Sequence, residues 1–209
     1  MSSDFIVHIL GSNSALPFKG RFPSAQYVRY GKYNYLIDCG EGCQFRLQEY
    51  KLSPFALDAI FISHLHGDHI FGLPGLLTSL SLNNREKELE IYAPEGLGTF
   101  INGFLDISGI QLTYPLTFHN VDCTEHKVVY GNKHLEVLTI PLAHRIPATG
   151  YLLREKITEY NIDKEKLEES DIPLWTLVEL KKGMDVELKD GRIFNYRDYV
   201  LPMREARSY

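Results

Sequence analysis

The residues most suited to chemistry lie in one short stretch, Ser63 to His69, which reads SHLHGDH. His64, His66, Asp68 and His69 follow directly on an apolar run at residues 59–63 (AIFIS), which reads as a strand buried on both faces. In an extended segment residues two apart share a side, so His64 and His66 can meet at one point. Gly67 lets the chain turn back and offer Asp68 and His69 to a second point nearby. Imidazole and carboxylate together are a donor set for zinc. Two such points suit two ions about 3.5–4 Å apart, an arrangement that activates water and steadies both oxygens of a displacement at phosphorus. An ordinary solvated turn has no reason to gather three imidazoles and a carboxylate after an apolar strand. His144, in Pro141-Leu142-Ala143-His144-Arg145, follows a predicted strand at residues 135–140 and can supply a third ligand, although spacing alone leaves it equally readable as a surface residue. His8, His119, His126 and His134 have no partners in register and read as packing or surface residues.

The elements that must position this stretch alternate between short strands and helices. Strands are expected at residues 5–10, 26–30, 33–39, 59–63 and 89–92, with helices at 42–51, from near His69, and at 95–107. Residues 127–130 and 135–140 flank Gly131-Asn132-Lys133, a hairpin signal, and 149–153 reads as a further strand. This is an α/β layered pattern whose hairpins argue against a purely parallel sheet. Beyond it, helices are expected around 163–169 and 174–182, and residues 186–188 and 192–194 flank Lys189-Asp190-Gly191 as a small hairpin. Two helices and a hairpin with few apolar residues are not expected to form a core alone.

Composition agrees with such a division. The 209 residues carry a net charge of −5 and are 44% hydrophobic, which suits a soluble globular chain and argues against a surface that grips nucleic acid everywhere. The last 56 residues hold 11 basic and 13 acidic side chains but only Gly183 and Gly191, whereas all eight histidines lie before residue 154. No membrane segment is expected, because the apolar stretch from Ile70 to Leu82 is broken by Pro74 and Gly75, and the N-terminus lacks the pattern of a signal peptide. Three cysteines, Cys39, Cys43 and Cys123, are an odd and low count that points to free thiols in a reducing, cytoplasmic setting.

The stretch FISHLHGDHIFGLPGLL, residues 61–77, resembles the His-x-His-x-Asp-His signature of the metallo-β-lactamase fold. More narrowly, it resembles ribonuclease Z, the endonuclease family that trims the 3′ trailer from precursor tRNA. Leu10-Gly11-Ser12 with Pro17, Arg21 and Ser24, running on to LIDCGEGCQ at residues 36–44, is similar to that family's opening motif. PLAHRIPATGYLL, residues 141–153, is similar to its second histidine motif, and the charged stretch after Leu153 sits where the family inserts an arm that grips the tRNA body.

The resemblance implies an αββα sandwich, of which this chain has the first half plus a helical and hairpin arm. It divides the chain into residues 1–153 with the metal loop, 154–202 as the arm, and 203–209 as the start of a second half. It implies His64, His66 and His144 on one zinc and Asp68 and His69 on another, two Zn2+ per complete site. Asp68 would also orient or deprotonate the attacking water, and Asp38 would support the metal loop from behind; as an alternative, Asp38 simply ends a strand and caps a turn. Lys19 and Arg21 would lie near the tRNA 3′ end, and Lys181, Lys182, Lys189 and Arg192 would face phosphates, unless these cations only solvate a surface. Cys39 and Cys43 read as buried thiols.

Two departures stand out. The family arm carries a Gly-Pro pair where this chain reads Asp171-Ile172-Pro173-Leu174-Trp175. The family also continues into a second sheet that supplies a bridging aspartate, a further histidine ligand and a histidine suited to protonating the leaving oxygen, whereas no histidine follows His144 here. The expectation is a part of a longer protein, poorly active alone, whose first sheet would have one apolar face uncovered. The implied function is a zinc-dependent endoribonuclease acting on precursor tRNA, as a homodimer whose arms serve the partner's site. The alternatives are another hydrolase of the same fold, acting on a small phosphodiester, sulfate or thioester, or a non-catalytic tRNA-binding or dimerisation half-domain.

Overall fold

The structure is a computed structural model that describes residues 4–16 and 18–209; Pro17 of the opening motif lies outside the described residues. Strands β1 (Phe5–Gly11), β2 (Ala25–Tyr30) and β3 (Tyr33–Ile37) form an antiparallel meander, with a two-residue turn between Tyr30 and Tyr33. β4 (Ala59–Phe61), β5 (Leu89–Ala93) and β6 (Leu116–Asn120) then add in parallel, giving a six-stranded sheet in chain order. The crossovers carry helices α1 (Cys43–Glu49), α2 (Gly67–Ile70), α3 (Leu73–Leu82) and α4 (Leu97–Ser108). β6 was not expected from sequence, because its five residues are all half-buried or exposed and show no apolar run. The single helix expected from His69 is broken into α2 and α3 at Phe71-Gly72, with Pro74 in the first turn of α3, where a missing N–H costs nothing.

Period-two alternation sorts the sheet residues between two buried faces. Tyr27, Leu36, Ile60, Leu89 and Ile91 face the helices, where they pack with Leu47 of α1, Leu73, Leu76, Leu77 and Leu80 of α3, and Leu97 and Ile101 of α4. Tyr35, Phe61 and Tyr92 face the other way. The sequence led us to expect that second face to be bare, and the structure corrects this. β7 (Val128–Gly131) and β9 (Thr149–Glu155), which with β8 (Leu135–Pro141) form a three-stranded sheet, bring Tyr130 and Tyr151 over it. The Phe61 ring lies 5.2 Å from both Tyr92 and Tyr151, and Tyr35 lies 5.6 Å from Tyr130. Large aromatic rings reaching from two short strands supply the apolar cover that a second full sheet would otherwise give.

The chain divides into two compact units, one running up to Tyr130 and including Val137–Leu152, the other made of Gly131–Glu136 and Leu153–Tyr209. In the second unit, α5 (Lys164–Glu168), α6 (Leu177–Lys181), the β10–β11 pair (Val186–Glu187 with Ile193–Phe194) and α7 (Tyr196–Tyr199) gather a small core of Ile172, Leu180, Val186 and Phe194. That again corrects an expectation: the apolar residues are few, but Leu180 of α6, Val186 of β10, Phe194 of β11 and the loop residue Ile172 suffice when Ile162, Leu167, Leu177 and Tyr199 close around them. The same unit holds a fully buried carboxylate, Glu155, which accepts from the Arg207 amide at 2.8 Å and pairs with Arg204 and Arg207. It pins the last residues, whose backbone pairs with the end of β9 through Leu153 and Tyr209 at 2.8 and 2.9 Å. Among the described residues no helix is long and apolar enough to cross a membrane.

Candidate metal centre

The site grows from the parallel register of β3 and β4. Ile37 lies beside Phe61, so the two strands end side by side and release Asp38 and Ser63 next to each other. Asp38 donates its amide to the Phe61 carbonyl at 2.8 Å and adopts a left-handed φ of 57°, which aims its side chain back at the neighbouring loop. The loops after the two strands then lock backbone to backbone. Cys39 donates to His69 O at 2.8 Å, and Gly72 donates to Cys39 O at 2.9 Å. Glycine is required at this crossing: a Cβ on Gly40 would lie 2.5 Å from the Asp68 carbonyl oxygen, and one on Gly72 would lie 2.2 Å from that of Gly40.

The Asp38 carboxylate is buried and fully engaged. Oδ1 accepts from the Ser63 amide at 2.8 Å, and Oδ2 accepts from Ser24 Oγ at 2.8 Å, Ser63 Oγ at 3.1 Å and His69 Nδ1 at 2.6 Å. A carboxylate on Nδ1 fixes the tautomer of His69 and leaves Nε2 as its free lone pair. Burial draws the His69 pKa down, but the hydrogen bond and charge of Asp38 outweigh it and hold the pKa above its ordinary value.

His144 reaches the metal loop because the strand after it is fastened there. Thr149 donates its amide to Ser63 O at 2.9 Å, and the Tyr151 hydroxyl donates to Ile62 O at 2.9 Å. His64 Nε2 and His66 Nδ1 come within 3.1 Å, and His144 Nε2 within 3.4 Å of that same His66 nitrogen. All three ligand atoms lie within 4.8 Å of one another. A tetrahedral zinc with Zn–N bonds of about 2.0–2.1 Å sets its nitrogens about 3.3 Å apart, so this trio fits the ion in both chemistry and spacing. Burial, followed by the nearby His69, pushes the His64 pKa down to about 4, which favours the neutral imidazole that a metal needs. Asp68 and His69 face each other beside the trio, Oδ2 to Nε2 at 3.7 Å, with the His69 ring 3.9 Å from that of His64.

The structure thus brings together His64, His66 and His144, sets Asp68 and His69 alongside, and places Asp38 behind them. Ser24 and Ser63 were missed as contributors. Ser63 opens the SHLHGDH stretch, but a lone serine at a strand end carries no signal of its own. Lys19 and Arg21 are exposed in the turn closed by the Arg21 amide on Phe18 O. Lys181, Lys182, Lys189 and Arg192 belong to the second unit, where Lys182 pairs with Glu179 at 3.0 Å and Arg192 with Asp190 and Asp171. Two of those four cations are therefore already engaged with acids.

Comparison with known proteins agrees with this geometry. The model of one protein family, described as anti-Pycsar protein Apyc1, matches residues 5–168, which hold the whole histidine set. A ribonuclease Z of Porphyromonas gingivalis is 40% identical over 98% of this chain. The chain belongs to the ribonuclease Z family. It spans 67% of that relative's length. The crystal structure of the short form of human tRNase Z is similar at a TM-score of 0.65 and 33% identity, covering 70% of this chain, which in turn covers 64% of the human one. YhfI of Bacillus subtilis, a metallo-β-lactamase fold protein, matches at a TM-score of 0.54 over 78% of this chain and 65% of its own, and at 17% identity shares the fold alone. The fold of this ribonuclease Z family member is accordingly the metallo-β-lactamase fold.

Proposed function

We propose that this chain carries the hydrolytic centre of a zinc-dependent endoribonuclease that removes the 3′ trailer from precursor tRNA. The observation that carries the reading is the meeting of His64, His66 and His144 at zinc spacing in a member of the ribonuclease Z family. His64, His66 and His144 would hold one ion, and Asp68 and His69 would face a second. When bound, zinc supplies a Lewis acid for the phosphate and lowers the pKa of a water near it. Asp38 keeps His69 in the tautomer with Nε2 free, and Asp68 takes the proton from the attacking water. Water adds to phosphorus, the bond from phosphorus to the tRNA 3′ oxygen breaks, and that oxygen takes a proton from solvent water as it leaves, while the proton on Asp68 returns to solvent. The products are a 3′-hydroxyl on the tRNA and a 5′-phosphate on the trailer. Lys19, Arg21, Lys181, Lys182, Lys189 and Arg192 contact tRNA phosphates in this reading, supported by their exposure or by their place in a charge-dense segment.

His66→Ala tests the assignment with two readouts. Zinc retained after equilibrium dialysis should fall, and cleavage of a 3′-extended tRNA should drop to background. Unchanged zinc content and cleavage would reject the metal set.

The family model matched over residues 5–168 includes the histidines but omits most of the second unit's core, which favours a second reading: the same centre acting on a small phosphodiester. Deleting residues 156–200 separates the two. Loss of tRNA cleavage with a chromogenic diester spared supports the tRNA reading, and equal survival of both supports the alternative. Within the first reading the protein is a cytoplasmic homodimer, one subunit's arm serving the other's site. The three free thiols support a reducing compartment, and sedimentation equilibrium returning 24.0 kDa would reject the dimer.

A further inference from the structure

Ser63 sits where three segments of the first unit cross. Its amide donates to Asp38 Oδ1 at 2.8 Å and its carbonyl accepts from the Thr149 amide at 2.9 Å, so its backbone is held on both sides. Its hydroxyl lies 3.1 Å from Asp38 Oδ2, 3.1 Å from His64 Nδ1 and 3.2 Å from His69 Nδ1. We propose that Ser63 is a positioning residue for the metal centre, its hydroxyl linking His64 to the buried Asp38 carboxylate so that His64 presents Nε2 to the ion.

Proton accounting carries the inference. An ionised carboxylate only accepts, so the Ser63 hydroxyl must donate its single proton to Asp38 Oδ2. The serine oxygen then has only lone pairs to offer His64, which must answer with a proton on Nδ1. A neutral imidazole with its proton on Nδ1 has its lone pair on Nε2, the atom that meets His66 Nδ1 at 3.1 Å. His69 reaches the same carboxylate directly at 2.6 Å. One carboxylate therefore sets the tautomers of a histidine facing each metal point: His69 directly, and His64 through Ser63. Loss of the hydroxyl frees His64 to place its proton on Nε2, where it would block the ion.

The inference rests on the zinc reading above, and its test keeps the two apart. Ser63→Thr and Ser63→Val have similar shapes but differ in the hydroxyl, and Ser63→Ala removes it with less bulk. Zinc affinity of the full chain is measured by competition with a chromophoric chelator, alongside the visible spectrum of the Co2+-loaded protein and the thermal midpoint in chelator. We expect Ser63→Val and Ser63→Ala to bind zinc about 10–100-fold more weakly, Ser63→Thr to stay within about threefold of the parent, and the Co2+ spectrum to shift only when the hydroxyl is gone. Equal zinc affinity in the parent and both hydroxyl-free variants would overturn the role of Ser63 alone. Ser63→Thr binding as weakly as Ser63→Val would overturn it too. A parent chain that binds no zinc overturns the metal reading and this inference with it.

Discussion

Replacing Asp38 by asparagine removes one charge from the most heavily engaged side chain of the site. Asparagine tolerates the φ of 57° that Asp38 adopts, so the backbone need not move. Its single carbonyl oxygen can keep the Ser63 amide, which puts the amide NH2 where Oδ2 now accepts from Ser24, Ser63 and His69. The two hydroxyls can reverse and accept. His69 cannot do so without moving its proton to Nε2, the wrong atom for a metal. Charge-assisted bonds are about twice as strong as neutral ones, so weakening three of them by about 1 kcal/mol each costs roughly 2–3 kcal/mol. For a chain of this size that is a fall of roughly 4–12 °C in thermal midpoint in chelator. Zinc affinity should fall by about 10–100-fold in addition. Alanine at this position is less informative, because it strands four donors in a buried site and adds left-handed strain. Calorimetry in chelator and a zinc titration of Asp38→Asn make the check. A variant with lowered midpoint but parental zinc affinity would refute the idea that Asp38 acts through the His69 tautomer.

Other perturbations have distinct signatures. Gly40→Ala and Gly72→Ala, whose new methyls would meet carbonyl oxygens at 2.5 and 2.2 Å, should lower both stability and zinc uptake, as read by circular dichroism and dialysis. Arg85, buried with its guanidinium on the carbonyls of Phe55, Leu57, Lys87 and Glu88, is a staple remote from the histidines. Arg85→Met should cost about 3 kcal/mol in denaturant titrations while leaving zinc affinity untouched. Glu155→Gln should weaken the hold on Arg204 and Arg207, speeding hydrogen exchange at the Leu153, Arg207 and Tyr209 amides ahead of exchange in the six-stranded sheet.

How much of this was legible beforehand follows from how local each signal is. His64, His66, Asp68 and His69 announce themselves because six consecutive residues hold the whole pattern. The hairpin turn near Asn132 was legible for the same reason. His144 is 78 residues from His66, and only resemblance raised it above an ordinary loop histidine. Asp38 was recognisable as a supporting residue, but its positive φ and four hydrogen bonds depend on the parallel pairing of β3 with β4, which no local pattern encodes. The two corrected expectations about burial share one cause. The cover over Phe61 comes from Tyr130 and Tyr151, and the second unit's core from Leu180, Val186 and Phe194 on three short elements with Ile172 from a loop, so each burial is assembled from single residues distant in sequence.

The distribution of aromatic residues between the two units gives each its own optical reporter. Trp175, the single tryptophan of the chain, lies in the second unit with 63% of its surface exposed, and the first unit has none. Its emission therefore follows the second unit alone. The crowded rings of Tyr35, Tyr92, Tyr130 and Tyr151 around Phe61 give the first unit the asymmetric surroundings that produce near-ultraviolet dichroism. One denaturant series read by both signals tells whether the first unit and the charged second unit melt as one body. Coincident midpoints mean cooperative unfolding, and separated midpoints measure how far each stands alone.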